Sequence, residues 1–122
     1  MKGIEYDTSG ISYSTVLRDW QLKALKVVWN SPNGANSRVV YEKVSEMLGN
    51  DTISRASIIN FLESMRDMNV LNGEDRTGKG GHHMVYHANY DESGFRRLIA
   101  DTLVHCLLEN FPEETRKAIE SL

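Results

Sequence analysis

The chain has 122 residues, of which 40% are hydrophobic and 25% charged, a balance typical of a globular protein and not of a disordered one. No apolar run approaches the roughly 18 residues of a membrane-spanning helix, and no signal peptide opens the sequence, so we expect a cytoplasmic protein. Cys106 is the single cysteine, which excludes an internal disulfide and an all-cysteine metal site and predicts a buried apolar thiol.

The formal net charge of −3 counts mildly against a nucleic-acid-binding protein, because such domains are often basic. Residues 1–89 carry 10 basic and 10 acidic side chains, whereas residues 90–122 carry 4 and 7. The acidic excess therefore lies wholly in the C-terminal segment. This division weakens the objection to DNA binding without removing it.

The first predicted elements are an arm and two helices. Residues 1–16 show no period, and we interpret them as an N-terminal arm. Apolar side chains at helical spacing predict a first helix over Leu17–Trp29, which the turn-forming residues 30–34 bring to an end. The same spacing predicts a second helix over Arg38–Leu48, with Ser37 as its N-terminal cap.

Ile58, Leu62 and Met65 recur at helical spacing, and Ile59 and Phe61 widen this apolar stripe. The pattern predicts a third helix within residues 52–71, capped by Thr52 or Ser54. Its other side carries small and polar side chains and an arginine, where an ordinary core helix shows carboxylates and lysines to water. Arginine pairs with guanine, asparagine pairs with adenine, and serine and alanine tolerate close contact with bases. We interpret this side as a DNA-reading face, the alternative being an amphipathic core helix with a short polar face. The candidate residues are Ser54, Arg55, Ala56, Ser57, Asn60 and Ser64.

Three short helices with a tight turn between the last two predict a helix-turn-helix unit. After it, Val70 and Leu71 open a strand, residues 72–81 form a glycine-rich tip, and His82–Ala88 forms a second strand. A hairpin behind a recognition helix is a wing, whose basic tip can contact phosphates or the minor groove. The alternative is a solvated loop that needs glycine for its turn. The candidate contacts of the tip are Arg76, Lys79 and His82.

The glycines and histidines of this hairpin allow two further interpretations, which their context disfavours. A phosphate-binding glycine loop opens a helix, whereas Gly78–Gly81 leads into a predicted strand. His83 and His87 share a strand face but lie roughly 13 Å apart at strand rise, too far to bind one ion unless the strand bends. We therefore expect neither a metal nor another cofactor.

Residues 90–111 show the longest helical pattern, and Pro112 breaks it before a last helix that reaches Leu122. The apolar stripe of this pattern is more than one small domain can cover, so residues 90–122 are predicted to be a helical homodimerisation region. The alternative is that the segment folds back on its own domain. The predicted interface residues are Phe95, Leu98, Ile99, Thr102, Leu103, Cys106, Leu107 and Phe111.

An ordered run of short segments crosses these elements: Lys26-Val27-Val28-Trp29, Arg38-x-Val40-Tyr41-Glu42, Ala56-Ser57-Ile58-Ile59-Asn60-Phe61-Leu62 and Val85-Tyr86. The run resembles the penicillinase-repressor (methicillin-resistance repressor) family over roughly residues 17–111. This resemblance implies a mainly α fold with a small β-hairpin wing, in which residues 17–89 form a winged helix-turn-helix domain followed by dimerisation helices. It implies a repressor that binds a palindromic operator as a homodimer.

Carried over by position, the resemblance places Ala56, Ser57 and Asn60 on the DNA-reading face and Arg38 at a phosphate contact. Ser37, beside Arg38, and His83, in the wing, complete the predicted DNA-binding set. The helix entrance Arg55-Ala56-Ser57 departs from the aromatic-Thr-Thr entrance common in the family, so the operator must differ.

The first hypothesis is thus a DNA-binding transcriptional regulator whose partners are double-stranded DNA and a second copy of the chain. The alternative is a winged-helix protein–protein interaction module without DNA binding, which the neutral charge of residues 1–89 favours. An enzyme is not expected, because no nucleophile, base and orienting group fall together. The pattern does not indicate an effector.

Overall fold

The computed structural model describes residues 3–78 and 81–122, with His82 described by its backbone alone. The predicted contact Lys79 and the side chain of His82 therefore lie outside the described residues. The chain divides into two compact units, Met1–Asp91 and Glu92–Leu122. Across the described ranges, no helix is long and apolar enough to cross a membrane.

The chain is mainly helical with a small antiparallel sheet, which confirms this part of the predicted fold class. The first unit contains a short 3₁₀ helix Ser12–Thr15, α1 Asp19–Trp29, β1 Ala35–Asn36, α2 Ser37–Leu48, α3 Arg55–Asp67, β2 Leu71–Gly78 and β3 Gly81–Ala88. The second unit contains α4 Glu92–Asn110 and α5 Pro112–Glu120.

The α-helices of the first unit pack together and against the sheet. α1 contacts α2 and β3, and α3 contacts α2 and β2. The rings of Trp20 and Phe61 meet edge to face, with centroids 5.5 Å apart, so α1 and α3 also touch through aromatic side chains. Burying each large aliphatic side chain stabilises the fold by roughly 1.5–3 kcal/mol. The largest fully buried side chains are Leu25, Val28, Val40, Val44, Ile58, Leu62, Val70 and Leu71.

The predicted cap of the second helix is wrong by one residue. Asn36 caps α2, because its side-chain oxygen accepts a hydrogen bond from the Val39 N–H at 2.9 Å. Asn36 also ends β1, which pairs with β3, so the chain enters the helix one residue earlier than its apolar pattern indicates. Ser37 is consequently the first helical residue of α2.

The two-residue strand β1 was not predicted, and a glycine makes it possible. Gly34 has φ +83°, and a Cβ on it would lie 2.5 Å from Val85 Cγ1 and 2.7 Å from His87 Cε1. Only a residue without a side chain lets the backbone come this close to β3 in this conformation. Ala35 and Asn36 then pair with Tyr86 and Val85.

The predicted glycine-rich tip over residues 72–81 is also wrong in extent. β2 continues to Gly78, and its ladder with β3 runs from Leu71 opposite Ala88 to Gly78 opposite Gly81. Asparagine, aspartate and glycine are uncommon in strands, but this preference is weak. Here the pairing of β2, an edge strand, with β3 outweighs it. Arg76 therefore lies within a strand, opposite His83, and not in a free loop.

Candidate nucleic-acid interface

The buried face of α3 determines which of its side chains are presented to solvent. Ile58, Phe61, Leu62 and Met65 are buried in the core. Since an α-helix turns by about 100° per residue, the side opposite this face carries Ala56, Asn60, Glu63 and Asp67. The two that come first along the helix, Ala56 and Asn60, are exposed. The packed core thus leaves Ala56 and Asn60 of the predicted reading face exposed.

Ser54 caps α3, which confirms one of the two predicted caps. Its Oγ accepts a hydrogen bond from the Ser57 N–H at 3.0 Å and donates to the Ser57 hydroxyl at 2.9 Å. The hydroxyls of Ser54 and Ser57 are therefore engaged with each other, and Ser57 is half-buried. We assign this pair to the helix start, which it stabilises by about 1 kcal/mol. Ser64, two turns further on, is half-buried as well.

Arg55 and Asn60 are exposed and available to a ligand. Among the described residues, neither the guanidinium of Arg55 nor the amide of Asn60 has a hydrogen-bond or ion-pair partner. No acidic side chain occurs from Thr52 to Leu62, so the first two turns of α3 present donors without a competing carboxylate. Arg55 lies at the edge of the outward face, about 140° around the helix from Asn60.

The apolar spacing placed Ile59 with the buried stripe of the third helix, and this placement is wrong. Its side chain is 37% exposed, next to Asn60 in the chain. The buried face of α3 is formed by Ile58, Phe61, Leu62 and Met65, and Ile59 lies about 100° around the helix from Ile58, at the edge of that face. Apolar character alone gave no signal for this exposure.

Glu63 links α3 to the sheet. The Tyr86 hydroxyl on β3 donates a hydrogen bond to Glu63 Oε2 at 2.5 Å, and Arg66 Nη1 donates to Glu63 Oε1 at 3.3 Å. Tyr86 lies opposite Gly73, where a Cβ would sit 2.5 Å from Met84 Sδ and 3.0 Å from Arg66 Nε. Gly73 therefore leaves the space that Arg66 occupies. This network fixes the rotation of α3 about its own axis relative to the sheet.

Burial, together with the hydrogen bond to Glu63, raises the pKa of the Tyr86 hydroxyl well above its ordinary value. We expect Tyr86→Phe to lower the free energy of unfolding by about 1–2 kcal/mol at neutral pH, because a hydrogen bond to a charged group is lost. A folded pKa above the unfolded one means that this stabilisation is complete below about pH 10 and declines above it. Urea denaturation of both proteins between neutral and strongly alkaline pH measures this.

The difference in stability between the wild type and Tyr86→Phe should therefore narrow as the pH rises past the ordinary tyrosine value. A difference that stays constant across that range would contradict the assignment. Tyr90→Phe is the matched control, since it removes a hydroxyl just beyond β3 whereas the Glu63 bond remains.

The hairpin is less basic than its sequence suggests, because β2 supplies an acid. Glu74 Oε2 lies 3.1 Å from Arg76 Nη2 and 3.1 Å from His87 Nε2. The hydrogen bond from Arg76, and after it the one with His87, lowers the pKa of Glu74. His83 is exposed on the neighbouring strand. Arg76 thus carries a carboxylate partner that any phosphate must replace.

Arg38 lies at the first turn of α2 and has a weakly held partner. Its Nε is 3.3 Å from Glu42 Oε1, and the two side chains are 71% and 57% exposed. Ion pairs this exposed contribute about 0–1 kcal/mol, so Arg38 can exchange Glu42 for a phosphate at little cost. Ser37, beside it, is half-buried.

The second unit contains an apolar groove between α4 and α5, with a volume of about 420 Å³. Thr115 fixes the corner between the two helices, because its hydroxyl donates to the Leu107 carbonyl at 3.0 Å and its N–H to the Phe111 carbonyl at 2.9 Å. The lining residues are Val104, Leu107, Phe111, Glu114, Thr115, Ala118, Ile119 and Leu122. Nearly the whole lining is apolar.

The predicted dimer residues divide into two sets around this groove. Leu107 and Phe111 line it, whereas the other six residues, Phe95, Leu98, Ile99, Thr102, Leu103 and Cys106, do not. Phe95 is only 3% exposed, so it is covered within the chain itself. The thiol of Cys106 is exposed, so the prediction of a buried thiol is wrong.

Besides Glu114 and Thr115, sequence reasoning missed four apolar groove residues, namely Val104, Ala118, Ile119 and Leu122. Val104, Leu107 and Phe111 follow one another at steps of three and four, as do Thr115, Ala118 and Leu122. Two short apolar stripes at this spacing, on either side of Pro112, are the signal of two helices that share one groove.

Comparison with family models, curated proteins and solved structures finds no match to this chain. Within the described ranges, no group of three histidine, cysteine, aspartate or glutamate side chains could hold a metal ion.

Proposed function

We propose that this chain is a sequence-specific DNA-binding transcriptional regulator, a repressor of the winged helix-turn-helix type similar to the penicillinase-repressor family. In this proposal α2 and α3 form the helix-turn-helix, α3 is the recognition helix, and the β2–β3 hairpin is the wing. The order of elements, with α1, β1, α2 and α3 before a two-strand hairpin, is compatible with that arrangement.

The exposed start of α3 is the observation that carries the proposal. Base contacts in helix-turn-helix proteins concentrate at the N-terminal residues of the recognition helix. There, Arg55 and Asn60 present a guanidinium and an amide without protein partners within the described ranges, and Ala56 allows close approach. The first acid of the helix, Glu63, is paired with Tyr86 and Arg66.

Selection of bound duplexes from a random DNA pool tests the proposal. We expect an enriched inverted repeat whose half-sites are centred about 10 bp apart or a multiple of that, because a two-fold dimer presents two recognition helices. The matching direct measurement is fluorescence anisotropy of the enriched duplex at several salt concentrations. No enrichment, with no salt-dependent binding of any duplex, would reject DNA binding.

A protein–protein interaction module is the second candidate, and the charge of residues 1–89 favours it. Residues 1–89 carry equal numbers of acidic and basic side chains, whereas DNA-binding domains are often basic. The same selection separates the two candidates, because an interaction module enriches no DNA sequence.

Arg76 is proposed to contact a DNA phosphate, which would replace Glu74 as the partner of its guanidinium. We expect Arg76→Ala to weaken binding to every duplex by a similar factor and to lower the slope of log affinity against log salt by about 0.9 per site. Glu74→Gln should act in the opposite direction and raise affinity for all sequences, because it frees the guanidinium from its carboxylate partner. Anisotropy titrations on the enriched duplex and on a scrambled one measure both.

Arg97→Ala is the matched control for Arg76→Ala. Arg97 is also exposed and paired with an acid, Asp101, but it belongs to α4 in the second unit. Its loss should leave the salt slope unchanged. A changed base preference in Arg76→Ala, with an unaltered slope, would show that Arg76 does not act through phosphate.

The α4–α5 groove is proposed to be the homodimer contact. Val104, Leu107 and Phe111 are 39%, 38% and 58% exposed, and Ile119 on the facing helix is 46% exposed. An isologous dimer places the same patch on both copies, so one apolar groove can cover the other. Covering these side chains would remove them from water, which favours association by roughly 25 cal/mol for each Å².

A further inference from the structure

The exposed side chain of Ile59 stands among the proposed base contacts. In projection down the α3 axis, Ile59 lies about 40° from Arg55 and about 60° from Ala56. It is one turn further along the helix than Arg55. An isolated exposed isoleucine is ordinary, but this one is flanked on both sides by residues that the proposed function assigns to DNA. A ligand that contacts both Arg55 and Ala56 crosses the sector of the helix surface that Ile59 occupies.

We propose that Ile59 selects a thymine by packing on its 5-methyl group, an inference that rests on the proposed DNA-binding function. The thymine methyl is the one apolar group that base edges present in the major groove. An isoleucine placed against cytosine or guanine would cover a donor or an acceptor without replacing its hydrogen bonds. The side chain therefore favours thymine and disfavours both bases of a G·C pair.

Asn60 also selects an A·T pair, by binding the adenine on the DNA strand opposite the thymine. The asparagine amide pairs with the N6 and N7 groups of adenine, and the base opposite that adenine is a thymine. A single A·T pair, or two adjacent ones, thus presents both the edge that Asn60 binds and the methyl that Ile59 covers. We assign the operator half-site an A·T-containing core at this point.

Two features of the structure hold Ile59 in place for such a contact. A β-branched side chain in a helix has one strongly preferred χ1 rotamer, so little side-chain entropy is lost when it packs on a methyl group. The hydrogen bond between Tyr86 and Glu63, one turn after Ile59, fixes the rotation of α3 relative to the sheet. Both features limit the directions that the side chain can take before DNA binds.

Replacement of thymine by deoxyuridine tests the proposal, because the two bases differ only by the 5-methyl group. Each thymine of the enriched duplex is replaced in turn in both half-sites, and affinity is measured by anisotropy. We expect one thymine position at which deoxyuridine weakens wild-type binding by about 3–5-fold for each half-site, the effect of about one buried methyl. Other positions should show no such loss.

The variant Ile59→Ala should bind thymine and deoxyuridine duplexes equally, and both about as weakly as the wild type binds deoxyuridine. Met47→Ala is the matched control, since Met47 is exposed on α2 of the same unit. It should retain the full discrimination. Because Ile59 is 37% exposed and lies outside the fully buried core, Ile59→Ala should lower the urea midpoint only modestly, and a folded variant is expected.

The outcomes separate this inference from the function on which it rests. Wild-type protein that binds no duplex in a salt-dependent manner overturns both. Wild-type protein that binds the enriched duplex without any methyl-dependent position overturns the inference alone. So does an Ile59→Ala variant that still distinguishes thymine from deoxyuridine.

Discussion

The double variant Arg55→Ala, Asn60→Ala is expected to bind the enriched duplex at least about 100-fold more weakly than the wild type. Each bidentate contact to a base contributes about 1–3 kcal/mol of discrimination, and a dimer on its operator makes each contact twice. Both side chains are exposed at the start of α3, so their removal should leave the core and the stability unchanged. Anisotropy on enriched and scrambled duplexes measures the loss.

The loss of base preference can be distinguished from a general loss of DNA affinity. Asn60→Ala alone should relax the preference at one adenine and leave the salt slope as it is, because the amide carries no charge. Asn33→Ala, the same substitution in an exposed turn between α1 and β1, is the control and should bind as the wild type does. If the double variant keeps wild-type affinity for the enriched duplex, α3 is not the reading helix.

The variant Leu107→Asp is expected to run as a monomer in equilibrium sedimentation and to lose about 100-fold or more of its operator affinity. Leu107 lines the α4–α5 groove, and a carboxylate there would be desolvated in the dimer without a partner, which costs several kcal/mol. Two linked half-sites typically bind 10²–10⁴-fold more tightly than one, and a monomer loses this gain. Since Leu107 is 38% exposed, the substitution is compatible with a folded chain.

His105→Asp is the matched control, because it adds the same acid to α4 at an exposed position that does not line the groove. It should stay dimeric and keep its affinity. A wild-type chain that is monomeric at micromolar concentration rejects the proposed dimer. A folded Leu107→Asp chain that remains dimeric moves the interface to the other side of α4, where Leu98, Thr102 and Cys106 lie.

Local chemistry accounts for the features that the sequence alone determined. The helical period predicted α1, α2 and α3 to within a few residues, since it records one apolar face over several turns. Ser54 was predicted as a cap because a capping side chain accepts a hydrogen bond from a backbone N–H only two or three residues further along the chain. The start of the hairpin after residue 70 followed from the loss of the helical period.

Only the tertiary structure decided the features that depend on residues far apart in the chain. The strand β1, the extension of β2 to Gly78 and the approach of Glu74 to His87 all come from pairing with β3. The contact between Glu63 and Tyr86 joins residues 23 apart, and no local pattern indicates it.

The candidate site also contains residues that local sequence patterns predict and residues that they do not. Arg55, Ala56 and Asn60 could be named because their residue types stand out on a polar helix face. Ile59 could not, because an apolar side chain on a helix predicts a core position, and only the folded structure shows that this one is exposed at the edge of the buried face. In the C-terminal segment, the helical period predicts a helix, but it does not show which of the apolar residues pack against a second helix. Only the packing of α5 on α4 separated Leu107 and Phe111 from the rest of the stripe.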